Sequence, residues 1–250
     1  MEPLRQCSIS EITESNKDSS SFQLNKKRSE SEPEEQQSHL TKRKRQLPPN
    51  FLTPFVDLKL PKGDVTYYPQ IGLIRSEKIT YYKQLISLPY WKQPNLVVHG
   101  RQTRAPRLTC SFGSQPNKVY RYSGTTVTRD SVDYPPPILH IKSIIEKILD
   151  TEFNFVLLNW YKNGDNYIGE HSDDERGLKK MGVIACVSLG AERNFVLRNK
   201  TERGLVKKLV LADGSMVVMK GNTQANWKHS VPREKKVANG RISLTFRQLV

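Results

Sequence analysis

From about residue 151 onward the chain breaks into short apolar or alternating runs, separated by turn signals and with no helical period between them. The runs are 153–161, 183–189, 195–198, 205–211, 215–219 and 241–249, with Gly190-Ala191 and Asp213-Gly214 among the turns. A strand has two faces, and an apolar face must be buried against another layer. Many short strands without helices between them therefore point to a β-sandwich or barrel of the jelly-roll kind.

Two helices are readable upstream. The first is expected from Ser76 as cap through Leu88, with Ile79, Tyr82, Leu85 and Ile86 at helical spacing and Pro89 as terminator. The second follows Pro135-Pro136-Pro137 and carries Ile138, Ile141, Ile144, Ile145, Ile148 and Leu149 as one apolar stripe. The expected fold is mostly β with flanking helices: a double-stranded β-helix (jelly roll) buttressed by two N-terminal helices.

Residues 1–50 are rich in Ser, Glu, Gln and Lys and show no apolar periodicity. Such a segment buries too little to offset chain entropy and reads as a disordered tail, leaving 51–250 as the folded domain. The tail holds 9 Lys/Arg and 8 Asp/Glu, so residues 51–250 carry about +14 of the formal +15. A compact domain this basic favours a polyanion, nucleic acid before an acidic membrane surface, against the plain alternative of a charge kept for solubility. Lys42-Arg43-Lys44-Arg45, with Lys26-Lys27-Arg28 upstream, reads as a nuclear-import signal rather than a DNA-binding arm. Glu30 to Glu35 would blunt such an arm.

Cys7, Cys110 and Cys186 are odd in number and far apart, which argues for a reducing compartment. No apolar run is long enough for a membrane helix, and no signal-peptide core is seen.

His171-Ser172-Asp173, with His229 far downstream, is the candidate metal site. Two imidazoles and a carboxylate hold one face of an octahedral Fe(II) and leave the other open. By composition, one His-x-Asp arises by chance in roughly one such chain in four, so the flanks must decide. In a strand, i and i+2 share a face, which would let His171 and Asp173 reach one ion. On the last run Ile242, Leu244 and Phe246 make one face, while Arg241, Ser243, Thr245 and Arg247 make the other. If that polar face is solvated, the run is a plain edge strand. If it faces a lumen, two guanidiniums suit the two ends of a dicarboxylate. Periodicity leaves both readings open. Asn159 and Tyr161 are polar intrusions on the face shared by Phe153, Phe155 and Leu157, as at the mouth of a ligand-binding barrel.

These segments together resemble the AlkB dioxygenases, nearest the second and third animal homologues. The likeness rests on Phe153-Asn154-Phe155-Val156-Leu157-Leu158-Asn159-x-Tyr161 and Gly169-Glu170-His171-Ser172-Asp173-Asp174-Glu175. It continues in Thr223-Gln224-Ala225-Asn226-Trp227-Lys228-His229 and Arg241-x-Ser243-Leu244-Thr245-Phe246-Arg247. It covers about residues 70–250. The resemblance implies Fe(II) held by His171, Asp173 and His229. It implies 2-oxoglutarate held by Arg241 and Arg247 with Asn159, Tyr161, Ser243 and Thr245, and O₂ as oxidant. The implied reaction removes N-methyl groups from 1-methyladenine or 3-methylcytosine as formaldehyde.

A nucleotide-recognition segment is expected at about 95–130. By resemblance Tyr122, in Tyr120-Arg121-Tyr122, stacks on an extruded base opposite His171, the alternative being hairpin packing. Asp174 and Glu175 match base-contacting positions. Val98-His99-Gly100 falls where duplex-active relatives carry an aromatic wedge, so an imidazole stands in its place here. Arg101, Arg104 and Arg107 are expected on the phosphate backbone. The implied partners are alkylated DNA, single- and double-stranded, with RNA left open, and the chain is expected to be monomeric and nuclear. The alternatives are a protein hydroxylase on the same barrel, a non-catalytic nucleic-acid reader, and a zinc hydrolase that leaves Arg241 and Arg247 unexplained.

Overall fold

The computed structural model describes residues 54–98, 100–114, 120–122, 125–127 and 133–250, with side chains omitted at 98, 120–122 and 125–127. The strands are β1 (Val56–Asp57), β2 (Asp64–Tyr68), β3 (Asn95–Val98), β4 (Arg101–Arg104), β5 (Leu108–Gly113), β6 (Tyr120–Tyr122), β7 (Thr125–Val127) and β8 (Phe155–Tyr161). They continue as β9 (Ile168–His171), β10 (Ile184–Gly190), β11 (Arg193–Asn199), β12 (Val206–Leu211), β13 (Met216–Lys220), β14 (Trp227–Val231) and β15 (Arg241–Arg247). The helices are α1 (Arg75–Ile86), α2 (Pro136–Leu149) and the short α3 (Thr223–Asn226).

Seven strands form one sheet in the order β1-β2-β13-β10-β15-β8-β5, and four form a second in the order β12-β11-β14-β9. All pairings in both sheets are antiparallel. Two hairpins, β3–β4 and β6–β7, stand apart from both sheets. This is the two-sheet jelly roll that the strand spacing predicts. It also draws on upstream residues, since β2 precedes α1 and β5 lies between the helices. Those strands were not read from the sequence.

The large sheet is buried on both faces. Leu85 of α1 and Ile138, Ile141 and Ile145 of α2 meet Val156, Leu158, Ala185, Val187, Leu189, Ile242, Leu244 and Phe246 on one side. On the other, Ile184, Val217 and Met219 meet Phe195, Leu197, Trp227 and Val231 of the small sheet. Because the strand period is two, the same three strands that feed the helix-facing core send their alternate residues into the space between the sheets. Every residue of β15 is buried for this reason.

Local details depart from the sequence reading. Ser76 lies inside α1, and the start is closed by Glu77, whose carboxylate accepts the Ile74 N–H at 2.9 Å. Ile79 is exposed, so the α1 stripe narrows to Leu85 with Tyr82 and Ile86 partly buried. Phe153 precedes β8 and joins the helix-facing core instead of the face of Phe155 and Leu157. No described helix is long and apolar enough to cross a membrane.

Candidate metal and co-substrate site

His171 ends β9 and stands directly across the ladder from His229 of β14. The pairing brings the two rings to a centroid separation of 4.2 Å. Asp173 is not on the strand at all. It lies on a bend just past the end of β9, so the chain's turn, not strand alternation, delivers its carboxylate to the imidazoles. One ligand atom from each of His171, Asp173 and His229 lies within 4.8 Å of the other two. Nitrogen and carboxylate oxygen in this grouping fit a divalent iron with one face left open.

Protonation suits the same role. His171 Nδ1 lies 2.9 Å from the Gly169 carbonyl. A carbonyl only accepts, so Nδ1 carries the proton and Nε2 is the ligand atom, 3.6 Å from Asp173 Oδ1. Burial pushes the His171 imidazole below its ordinary value. Burial also carries His229 down to about 3, with His171 adding to the effect. Burial alone would raise the Asp173 carboxyl, but Arg247 and the two imidazoles outweigh it and hold the group below the usual carboxylate range. Two neutral imidazoles and one carboxylate are the forms that bind a metal.

The polar face of β15 lies in the lumen, not in solvent. Arg241, Ser243, Thr245 and Arg247 are all buried there. Opposite them on β8 sit Asn159, paired with Ser243, and Tyr161, paired with Arg241. The two arginines are not equivalent. Arg247 places Nη2 2.9 Å from Asp173 Oδ2. Arg241 gives Nη2 to Ser188 Oγ at 2.9 Å and lies over the Tyr161 ring, while its Nε and Nη1 meet no acceptor among the described residues. A buried guanidinium with two unused donor nitrogens fits a carboxylate ligand, since leaving them unpaired is costly. A dicarboxylate such as 2-oxoglutarate therefore fits this end of the lumen.

Arg107 corrects the sequence reading. It is 3% exposed and donates from Nε to Asn159 Oδ1 at 2.7 Å, so it is buried against a residue of the co-substrate lumen instead of standing on the outer surface as a phosphate contact. Arg101 and Arg104 are exposed on β4. Asp174 is exposed and Glu175 half-buried. Both border a cavity that also touches Asp173, Gln224 and Arg247. Gly100 takes a left-handed φ of 76° at the tip of β3–β4. His99 lies outside the described residues, and the side chains of Val98, Tyr120, Arg121 and Tyr122 are not described, although β6 pairs with β7.

Several lumen residues escaped the sequence reading. Cys186 and Ser188 alternate with Ala185, Val187 and Leu189 along β10. That period-two signal could have placed them beside Ser243, which lies 3.1 Å from Cys186 Sγ.

A comparison with known families decides what such a site belongs to. The profile of the 2OG-Fe(II) oxygenase superfamily matches residues 64–247. The DNA oxidative demethylase ALKBH2 of Arabidopsis thaliana is 36% identical over 213 residues, covering 76% of this chain and 68% of its own. This chain belongs to the AlkB family. The human ALKBH2 is 39% identical over 160 residues, covering 61% of this chain and 60% of its own. The bovine alpha-ketoglutarate-dependent dioxygenase alkB homolog 3 is 35% identical over 182 residues, covering 68% and 61%. This AlkB chain thus spans 60–68% of the length of those three relatives. The solved structure of OsALKBH1 shares the fold with a TM-score of 0.55 at 16% identity, covering 78% of this chain and 100% of its own. Fe(II), 2-oxoglutarate and O₂ are accordingly the cofactor and co-substrates of this dioxygenase.

Proposed function

We propose that this AlkB dioxygenase is an oxidative demethylase of N-alkylated bases in nucleic acid, with 1-methyladenine and 3-methylcytosine in DNA as substrates and RNA as a further one. The observation that carries the reading is the meeting, in one buried lumen, of the His171–Asp173–His229 triad and the open donors of Arg241. The names of the similar proteins, DNA oxidative demethylases among them, support the substrate class. So does the net charge of +15.

In this reading His171, Asp173 and His229 hold the iron, and Arg241 and Arg247 bind 2-oxoglutarate, with Asn159, Tyr161, Ser243 and Thr245 lining the lumen beside them. Arg247 fixes Asp173 and borders the ion. The bound iron, with 2-oxoglutarate and O₂, supplies the oxidising power that hydroxylates the N-methyl carbon, which then leaves as formaldehyde. The target edge of 1-methyladenine or 3-methylcytosine is hidden in a duplex, so the base must be extruded or met on a single strand. Tyr122 is the proposed stacking partner, His99 the proposed wedge, and Asp174 and Glu175 the base contacts. The chain acts as a monomer, and Lys42-Arg43-Lys44-Arg45 directs it to the nucleus.

The test is incubation with iron, 2-oxoglutarate and single-stranded or duplex oligonucleotides carrying either lesion, following loss of one methyl group by mass. If the wild-type and His171→Ala chains both leave every substrate unchanged, the reading fails. His99→Ala should lower duplex repair and spare single strands. A fluorescent fusion with residues 42–45 neutralised should leave the nucleus.

A further inference from the structure

We propose that Gln224 is a positioning residue for the metal ligand Asp173, an inference that rests on the metal centre described above. Asp173 has left the β9 ladder, so no strand partner takes its backbone N–H. Instead that N–H donates to Gln224 Oε1 at 2.8 Å. Only the amide oxygen can accept here, which fixes the orientation of the side chain: Nε2 points the other way, 3.5 Å from Met219 Sδ. Met219 borders the lumen with His229 and Arg247.

Gln224 is itself held firmly. It belongs to α3, whose first residue, Thr223, accepts the Asp64 N–H at 2.8 Å and donates to the Lys220 carbonyl at 2.6 Å. Lys200 Nζ reaches the Gln224 carbonyl at 2.8 Å and stands 3.6 Å from Asp174 Oδ2. One residue before Asp173, Ser172 Oγ donates to the Trp227 carbonyl at 2.9 Å. The bend that carries the second ligand is thus strapped to the segment that leads into the third.

The consequence is a division of labour among the ligands. His171 and His229 are set by the β9–β14 ladder, which no single side chain controls. Asp173 is set by two side chains, Arg247 on its carboxylate and Gln224 on its backbone. Losing the Gln224 acceptor strands a buried N–H and frees the bend to turn, moving the carboxylate off the ion while the two imidazoles stay in place.

The probe is Mn²⁺, titrated into the full-length apo chain and followed by the electron paramagnetic resonance of the free ion. Gln224→Met keeps length and bulk but has no acceptor, whereas Gln224→Glu keeps the acceptor. The Met variant should bind Mn²⁺ roughly tenfold more weakly or worse, the Glu variant as tightly as wild type, and both should melt as the wild-type apo chain does. With iron restored, the Met variant should lose kcat while KM for the oligonucleotide holds. Equal affinities for Met and wild type, or equal losses for Met and Glu, overturn the proposal. A Met variant that does not fold also overturns it, because a positioning role leaves the fold intact. A wild-type chain that ignores Mn²⁺ sinks the metal centre itself and this inference with it.

Discussion

Arg247 Nη2 lies 2.9 Å from Asp173 Oδ2, with side chains 3% and 1% exposed. One guanidinium that the sequence offers to a dicarboxylate thus meets the carboxylate of a metal ligand, while Arg241, six residues earlier on the same face of β15, meets the neutral Ser188 hydroxyl. The two arginines should respond differently to substitution.

Removing Asp173 leaves the Arg247 charge buried beside two imidazoles. Asp173→Ala should therefore destabilise the apo chain by about 3–5 kcal/mol, the usual result of breaking one half of a buried pair. Denaturant unfolding without metal measures this. A midpoint equal to that of wild type would refute the pairing.

Arg241 behaves in the opposite sense. Replacing it by Met removes a buried charge that is only partly satisfied, so apo stability should hold or rise. Binding of 2-oxoglutarate should nonetheless fall at least tenfold, since a charge-assisted hydrogen bond contributes about 1.5–3 kcal/mol. Calorimetry with the metal-loaded chain reads the affinity. Retained affinity in Arg241→Met places the co-substrate elsewhere.

The apo chain should weaken in acid well before its carboxylates titrate. His171 and His229 have folded values below the ordinary imidazole value, His229 at about 3. Between that value and about 6.5, the unfolded chain binds protons that the folded chain refuses, so stability falls as pH drops through this window. The slope is about 1.4 kcal/mol per pH unit for His229, and His171 adds to it in the same direction. Asp173 has the opposite charge type, and its contribution is lost only further into acid. Unfolding midpoints at pH 7 and pH 5 check this, and a flat profile would show imidazoles that titrate normally.

Exposed and buried arginines should separate in salt. Arg101→Ala and Arg104→Ala should each reduce the slope of log affinity for DNA against log salt by about one. Arg107→Ala should leave that slope unchanged and raise KM for 2-oxoglutarate instead, because its guanidinium holds Asn159 inside the lumen. Fluorescence anisotropy over a salt series distinguishes the two. A reduced slope in Arg107→Ala would return that residue to the DNA surface.

Most of the large sheet was legible because its strands are short, apolar and bounded by turns. The α2 stripe from Ile138 to Ile145 was legible for the same local reason, its period. The α1 cap was misplaced because Ser76 has the right chemistry for a cap, whereas the Ile74 N–H is taken by Glu77 reaching back. β5 and β2 stayed hidden because they are stabilised by partners from the other half of the chain, β8 and β13. Arg107 was misread because a lone arginine near others looks like surface until its burial is known.

The residue types of the site and the class of ligand they can take were settled by the sequence, since imidazole, carboxylate and guanidinium chemistry depends on composition and order. Which face of β15 lines the lumen, which arginine meets the Asp173 carboxylate, and how Asp173 reaches two histidines were decided by tertiary structure alone. The reason is that those facts belong to pairs far apart in the chain: His171 with His229, Arg247 with Asp173, Asp173 with Gln224. A period-two pattern says that two faces differ. Only a second sheet, laid over one of them, turns that difference into a lumen.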